Sequence, residues 1–74
     1  MDCMVKLIWD NEVNRWFTRT DDNLCLHLEA DTYDELIEQV CMAAPEMLEL
    51  NCGYSGSVHI TFESERHEYL EIAS

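Results

Sequence analysis

Asp31-Thr32-Tyr33-Asp34-Glu35-Leu36-Ile37-Glu38-Gln39-Val40-Cys41-Met42-Ala43-Ala44-Pro45-Glu46-Met47-Leu48-Glu49-Leu50-Asn51 reads as one amphipathic helix. At about 100° per residue, Leu36, Ile37, Val40, Ala43, Ala44, Met47, Leu48 and Leu50 gather on one side. Asp34, Glu35, Glu38, Glu46 and Glu49 gather on the other, with Met42 in the middle of their arc. Thr32-Tyr33-Asp34-Glu35 is a capping box, in which the Thr32 hydroxyl takes one orphan amide and Glu35 reaches back to another. Acids in this first turn suit the positive end of the helix dipole. Asn51-Cys52-Gly53 closes the segment, with Gly53 as a left-handed cap. Pro45 is the irregularity. Inside a helix it removes one hydrogen bond and clashes with the preceding turn, at about 3 kcal/mol, so a kink or a second short helix is expected there.

Strand patterns flank this helix. Cys3-Met4-Val5-Lys6-Leu7-Ile8-Trp9 is β-branched and aromatic, and Asp10-Asn11-Glu12 is a polar cluster suited to a hairpin turn. Asn14-Arg15-Trp16-Phe17-Thr18-Arg19-Thr20 alternates as a return strand, which makes Trp9 and Trp16 a cross-strand pair. After the turn Asp21-Asp22-Asn23, Leu24, Leu26 and Leu28 mark one face of a third strand, with Cys25, His27 and Glu29 on the other. Beyond the helix, Ser57-Val58-His59-Ile60-Thr61-Phe62-Glu63 alternates again. Leu70 and Ile72 keep its even phase, as a kinked continuation or a short fifth strand. The order β-β-β-α-β predicts a single α+β domain over residues 1–74. Its sheet is expected to be an antiparallel meander of three to four strands, with the helix across one face before the last strand joins an edge.

The chain has 74 residues, room for one core of marginal stability that a second copy or a partner would reinforce. Sixteen acids against four bases give a formal charge of −12. That sign opposes direct nucleic-acid binding, which needs a basic surface to release counterions, and favours a basic protein partner. An apolar fraction of 47% separates the chain from disordered acidic tails. No apolar run approaches the roughly 18 residues of a membrane span, and the first residues lack the features of a signal peptide. A cytoplasmic location is therefore expected, with no membrane partner. Cys3, Cys25, Cys41 and Cys52 are expected as free, mostly buried thiols in a reducing compartment.

Val5-Lys6-Leu7-Ile8-Trp9-Asp10, then Leu28-Glu29-Ala30-Asp31-Thr32-Tyr33-Asp34-Glu35-Leu36 leading into the helix, resembles the HicB-like antitoxin superfamily. Ala44-Pro45-Glu46-Met47-Leu48-Glu49-Leu50-Asn51 is similar to the helix end of a small bacterial family of stand-alone domains within it. The resemblance implies a partial RNase H-like sheet with one helix. It also implies an antitoxin-type inhibitor that masks a small basic ribonuclease toxin, commonly as an oligomer. Such proteins usually carry a separate DNA-binding module; none follows residue 74, so autorepression is not expected of this chain. The chain also lacks the glycine often found after the acidic turn that precedes the third strand.

The candidate docking surface for a basic partner is Asp34, Glu35, Glu38, Met42, Glu46 and Glu49, with Asp21 and Asp22 of the acidic turn. The bland alternative is a solvated face that keeps a small protein dispersed. Asp10, Asp21, Asp22 and Glu29 are the carboxylates available to a two-metal nuclease, but most sit in turns, where acids collect for local reasons. Cys25 and His27 share a strand face and, with Cys3 or His59, would be a zinc set. No CxxC or HxxxH spacing supports one. Neither a cofactor nor catalysis is expected. Lys6, Arg15 and Arg19, clustered on the first two strands, would meet acids of a second copy in a homodimer. A stand-alone self-associating module is the rival to the antitoxin reading.

Overall fold

A computed structural model describes residues 1–21 and 24–73. Strand β1 (Asp2–Asp10) and strand β2 (Arg15–Thr20) form an antiparallel hairpin closed by Asp10 opposite Arg15. Asn14 donates its N–H to the Asp10 carbonyl (2.8 Å) and adopts φ 56°, a left-handed conformation that asparagine tolerates better than most residues. Trp9 stands opposite Trp16 as the alternation predicts, with ring centroids 5.4 Å apart in an edge-on pair, and Tyr33 continues the stack at 5.2 Å from Trp16.

The third strand is shorter than its leucine pattern predicts. Only Glu29–Ala30 forms strand β3, antiparallel to β2. Leu24 and Leu26 still point into the core, but residues 24–28 run irregularly, with Cys25 at φ 50°. Threonine hydroxyls replace much of the missing ladder. Thr18 Oγ1 donates to the Leu26 carbonyl and accepts from the Leu28 N–H, both at 3.0 Å, while Thr20 Oγ1 accepts from the Leu26 N–H at 3.0 Å. Among the described residues, one backbone bond of this segment to β2 survives, Thr18 N–H to the Leu28 carbonyl at 3.1 Å. The segment keeps the alternation of a strand without its regular pairing.

Helix α1 (Tyr33–Cys52) begins and ends where the sequence predicts. The Thr32 side chain accepts from the Glu35 N–H at 3.2 Å, and Gly53 adopts φ 63° with its N–H on the Glu49 carbonyl. Leu36, Val40, Ala44 and Leu48, one turn apart, are its buried stripe. The expectation of a second short helix is not met, and one apolar-side residue is exposed. The helix runs unbroken through Pro45, with no second helix. Pro45 and Cys41 are both exposed and line a groove beside the last strand. Leu50, placed on the apolar side by angle, is 73% exposed near the helix end, beyond the sheet it would need to touch.

Strand β4 (His59–Glu65) completes a four-stranded sheet in the order β3-β2-β1-β4. It joins an edge, as expected, but lies parallel to β1, so the sheet is mixed rather than wholly antiparallel. A helix between two strands supplies the long connection that parallel pairing requires. The core lies between α1 and one sheet face, where Val5, Leu7, Leu24, Leu36, Val40 and Leu48 have no measurable exposure. Residues 66–73 form neither a continuation of β4 nor a fifth strand.

Candidate functional site

The sequence turns one long face of α1 outward. Leu36, Val40, Ala44 and Leu48 fix the inward side, and the 100° step then sets every other position. Asp34, Glu35, Glu38, Glu46 and Glu49 are all exposed, over a helix roughly 30 Å long. Met42 is 82% exposed, one turn from Glu38 on one side and from Glu46 on the other. An apolar, unbranched side chain thus sits at the centre of an acidic field, where it buries nothing within the fold.

Asp34 and Glu35 in the first turn suit the helix dipole, but other charges on this face act against the isolated helix. Asp34 and Glu38 stand four residues apart, a like-charge spacing that destabilises a helix by a few tenths of a kcal/mol. Glu49 lies in the last turn, which has no basic residue, at the negative end of the helix dipole. An acid there costs about 0.3–1 kcal/mol.

The other predicted site residues scatter. Asp21 is exposed and spends its carboxylate locally, with Oδ1 accepting from the Leu24 N–H at 3.1 Å. Its turn lies at the end of α1, where Asn51 Nδ2 approaches the Leu24 carbonyl at 3.5 Å, and not along the acidic face. Asp22 lies outside the described residues. Asp10 is at the opposite end of β2 from Asp21, and its Oδ1 accepts from the Glu12 N–H. Asp10 and Glu29 line one shallow pocket with His27, but Asp21 lies at the other end of β2, so the carboxylates weighed for a two-metal site do not converge as a set. Cys25 and His27 are exposed while Cys3 is buried beneath the helix. Among the described residues, no three His, Cys, Asp or Glu side chains are grouped as a metal would require.

The thiols differ from expectation. Only Cys3 is buried; Cys25, Cys41 and Cys52 are exposed. Each exposed cysteine sits at a solvent-facing position, two of them on α1, where position rather than residue type decides burial. Desolvation raises the Cys3 pKa, reinforced by the negative charge of Asp21, which further lowers its thiolate fraction. Titration of the native protein with an aromatic disulfide should therefore show Cys25 and Cys52 reacting promptly and Cys3 only after denaturation. Prompt reaction of all four would contradict this core.

Three of the four cations lie on β1 and β2, and the fourth, Arg66, lies over the Trp9 ring. Lys6 and Arg19 are cross-strand neighbours on the sheet face away from α1. Lys6 Nζ lies 3.6 Å from Glu65, and Arg15 lies between Glu29 (4.0 Å) and Asp31 (3.4 Å). These exposed pairs are worth little individually. Their placement leaves the acidic face of α1 without a basic residue of its own.

Sequence reasoning did not single out residues 66–73 as a surface. Tyr69, Leu70 and Ile72 are 92%, 83% and 91% exposed. Their signal was present as three large apolar residues among glutamates, but a short strand would have produced the same pattern.

No helix among the described residues is long and apolar enough to cross a membrane. Residues 2–73 match the family described as Domain of unknown function (DUF1902). No curated protein matches the chain. The crystal structure of hypothetical protein TTHA1013 from the extremely thermophilic bacterium Thermus thermophilus is similar, at 30% identity and a TM-score of 0.77. The similarity covers 95% of this chain and 100% of that one.

Proposed function

The chain belongs to the DUF1902 family, a domain of unknown function, and we propose that it is an acidic protein-interaction domain whose α1 face docks a basic protein. By its resemblance to HicB-like proteins, the partner is a small ribonuclease toxin and this chain its antitoxin-type inhibitor, in a bacterial cytoplasm. The observation that carries the reading is the outward face of α1: five acids without an intervening base, centred on exposed Met42. The acids steer a cationic surface inward, and Met42 adds a desolvated anchor once it arrives. The proposal involves no catalysis, cofactor or nucleic acid; a formal charge of −12 repels the last.

The test is a tagged pull-down from the native host with the wild-type chain and with Glu38→Lys/Glu46→Lys. Both substituted positions are exposed, so the fold should be kept. The expected result is a small basic protein retained by the wild type at low salt, released at high salt, and missing with the double variant. Equal capture by the two chains would remove α1 from the account. Recovery of the chain's own copies alone would support the second reading, a self-associating module without a toxin partner.

A further inference from the structure

β4 is an edge strand with one side occupied by β1 and the other unpaired among the described residues. The His59 N–H donates to the Met1 carbonyl at 2.8 Å, which fixes the phase of the strand. His59, Thr61, Glu63 and Glu65 turn their backbone groups toward β1. Ile60, Phe62 and Ser64 therefore turn theirs toward the open side, a template for another strand.

Beyond β4 the chain becomes an arm. Its root is held against the β1–β2 turn: the Arg66 guanidinium lies 4.5 Å above the Trp9 ring, and Asn11 Nδ2 donates to the His67 carbonyl at 2.9 Å. Past that anchor, Tyr69, Leu70 and Ile72 are almost wholly exposed. The molecule measures 57 × 19 × 18 Å, and its radius of gyration is 14.7 Å. A compact chain of this length has a radius of gyration of about 11 Å. At the other end of β4, where the strand begins, Ala44, Pro45, Leu48, Tyr54, Val58 and Ile60 line a groove of about 390 Å³, mostly apolar, between α1 and the strand.

We propose that two copies of the chain pair antiparallel through the open edges of β4, and that each arm seats Leu70 and Ile72 in the groove of the other copy. Antiparallel pairing about a two-fold axis sets the end of one β4 beside the start of the other, which is where the groove opens. Within one copy, by contrast, arm and groove lie at opposite ends of the strand. Pairing centred on Phe62 overlaps all seven residues of β4. It places Phe62 opposite Phe62, and Ile60 opposite Ser64, in hydrogen-bonded positions that match the outward phase. On the sheet face away from α1, His59 then meets Glu65 of the second copy and Thr61 meets Glu63, so no two carboxylates stand directly opposed. The two sheets become one of eight strands, and the exposed apolar arm acquires cover. The groove borders the acidic face at Glu49, which lines it, while Glu38, Met42 and Glu46 lie outside it, so seating the arm needs no basic partner.

Sedimentation and light scattering of the full chain at about 100 µM should give twice the 8.7 kDa monomer mass. Leu70→Ser/Ile72→Ser, at exposed positions, should keep the circular dichroism of the wild type and weaken the dimer at least about a hundredfold. Ser64→Pro removes an N–H directed at the open edge, leaving the β1 ladder intact, and should weaken it comparably. A wild-type monomer at that concentration would overturn the proposal, as would folded variants that both dimerise with wild-type affinity.

Discussion

Thr18→Val should lower the stability of the domain by about 2–4 kcal/mol, although it exchanges one side chain for another of nearly the same shape. The Thr18 hydroxyl holds two backbone groups at once, the Leu26 carbonyl and the Leu28 N–H, at a position only 6% exposed. Valine leaves both without that partner in a place water does not readily reach, and each orphaned group costs about 1–3 kcal/mol. Residues 24–28 rely on few other bonds to β2, so their leucines should loosen from the core with them. For a domain of this size the expected fall in Tm is about 10–25 °C by calorimetry. Gln39→Ala, at an exposed position on α1, is the control and should move stability by less than about 0.5 kcal/mol. Equal effects at the two sites would show that the hydroxyl bridge does not hold the segment.

Leu7→Ala is the second large effect. Leu7 sits in the centre of β1, between Thr18 of β2 and Ser64 of β4, with no exposure and its side chain in the core under α1. Truncation should cost about 2–5 kcal/mol, the transfer term plus the cavity it leaves. A domain of this length has about 4–11 kcal/mol in total. The variant should therefore be largely destabilised, with a urea midpoint shifted far below that of the wild type. Its neighbour Ile8 is also buried, but on the opposite sheet face and outside the core cluster. Ile8→Ala should cost clearly less, because solvent and flexible side chains can close over that site. A larger loss at Ile8 than at Leu7 would place the main core on the wrong side of the sheet.

These two residues also mark how far the sequence could be read. Where a local rule acts alone, the reading held: the Thr32 cap, the Gly53 cap, the stripe from Leu36 to Leu48 and the Trp9–Trp16 pair are each set by spacing of a few residues. It failed where the outcome depends on a distant partner. The alternation of residues 57–63 shows which side chains share a face, but not the direction of the neighbouring strand, so the parallel pairing of β4 with β1 was not visible. Leu24, Leu26 and Leu28 display a strand's pattern, yet the bonds of that segment come largely from Thr18 and Thr20, whose hydroxyls carry no period. The helix continues through Pro45 because the stripe Leu36, Val40, Ala44 and Leu48 packs on the sheet on both sides of it, which a local rule for proline does not see.

The candidate site was legible for the same reason as the helix. Once the apolar stripe of α1 is known, Glu38, Met42, Glu46 and Glu49 must face outward, and the structure places all four there. Asp21 and Cys25 belong to an irregular segment whose geometry no short-range pattern encodes, whereas Cys41 and Cys52 lie on α1, and residue type rather than position predicts them buried.

The most direct test of the acidic-face account is the affinity of the captured basic protein for this chain, measured by calorimetry at about 0.05 M and 0.5 M salt. The same measurement is then repeated with Glu38→Lys/Glu46→Lys. The account predicts at least about a tenfold weakening with salt for the wild type, and at least about a hundredfold loss for the double variant at low salt. An affinity that neither salt nor charge reversal changes would contradict it.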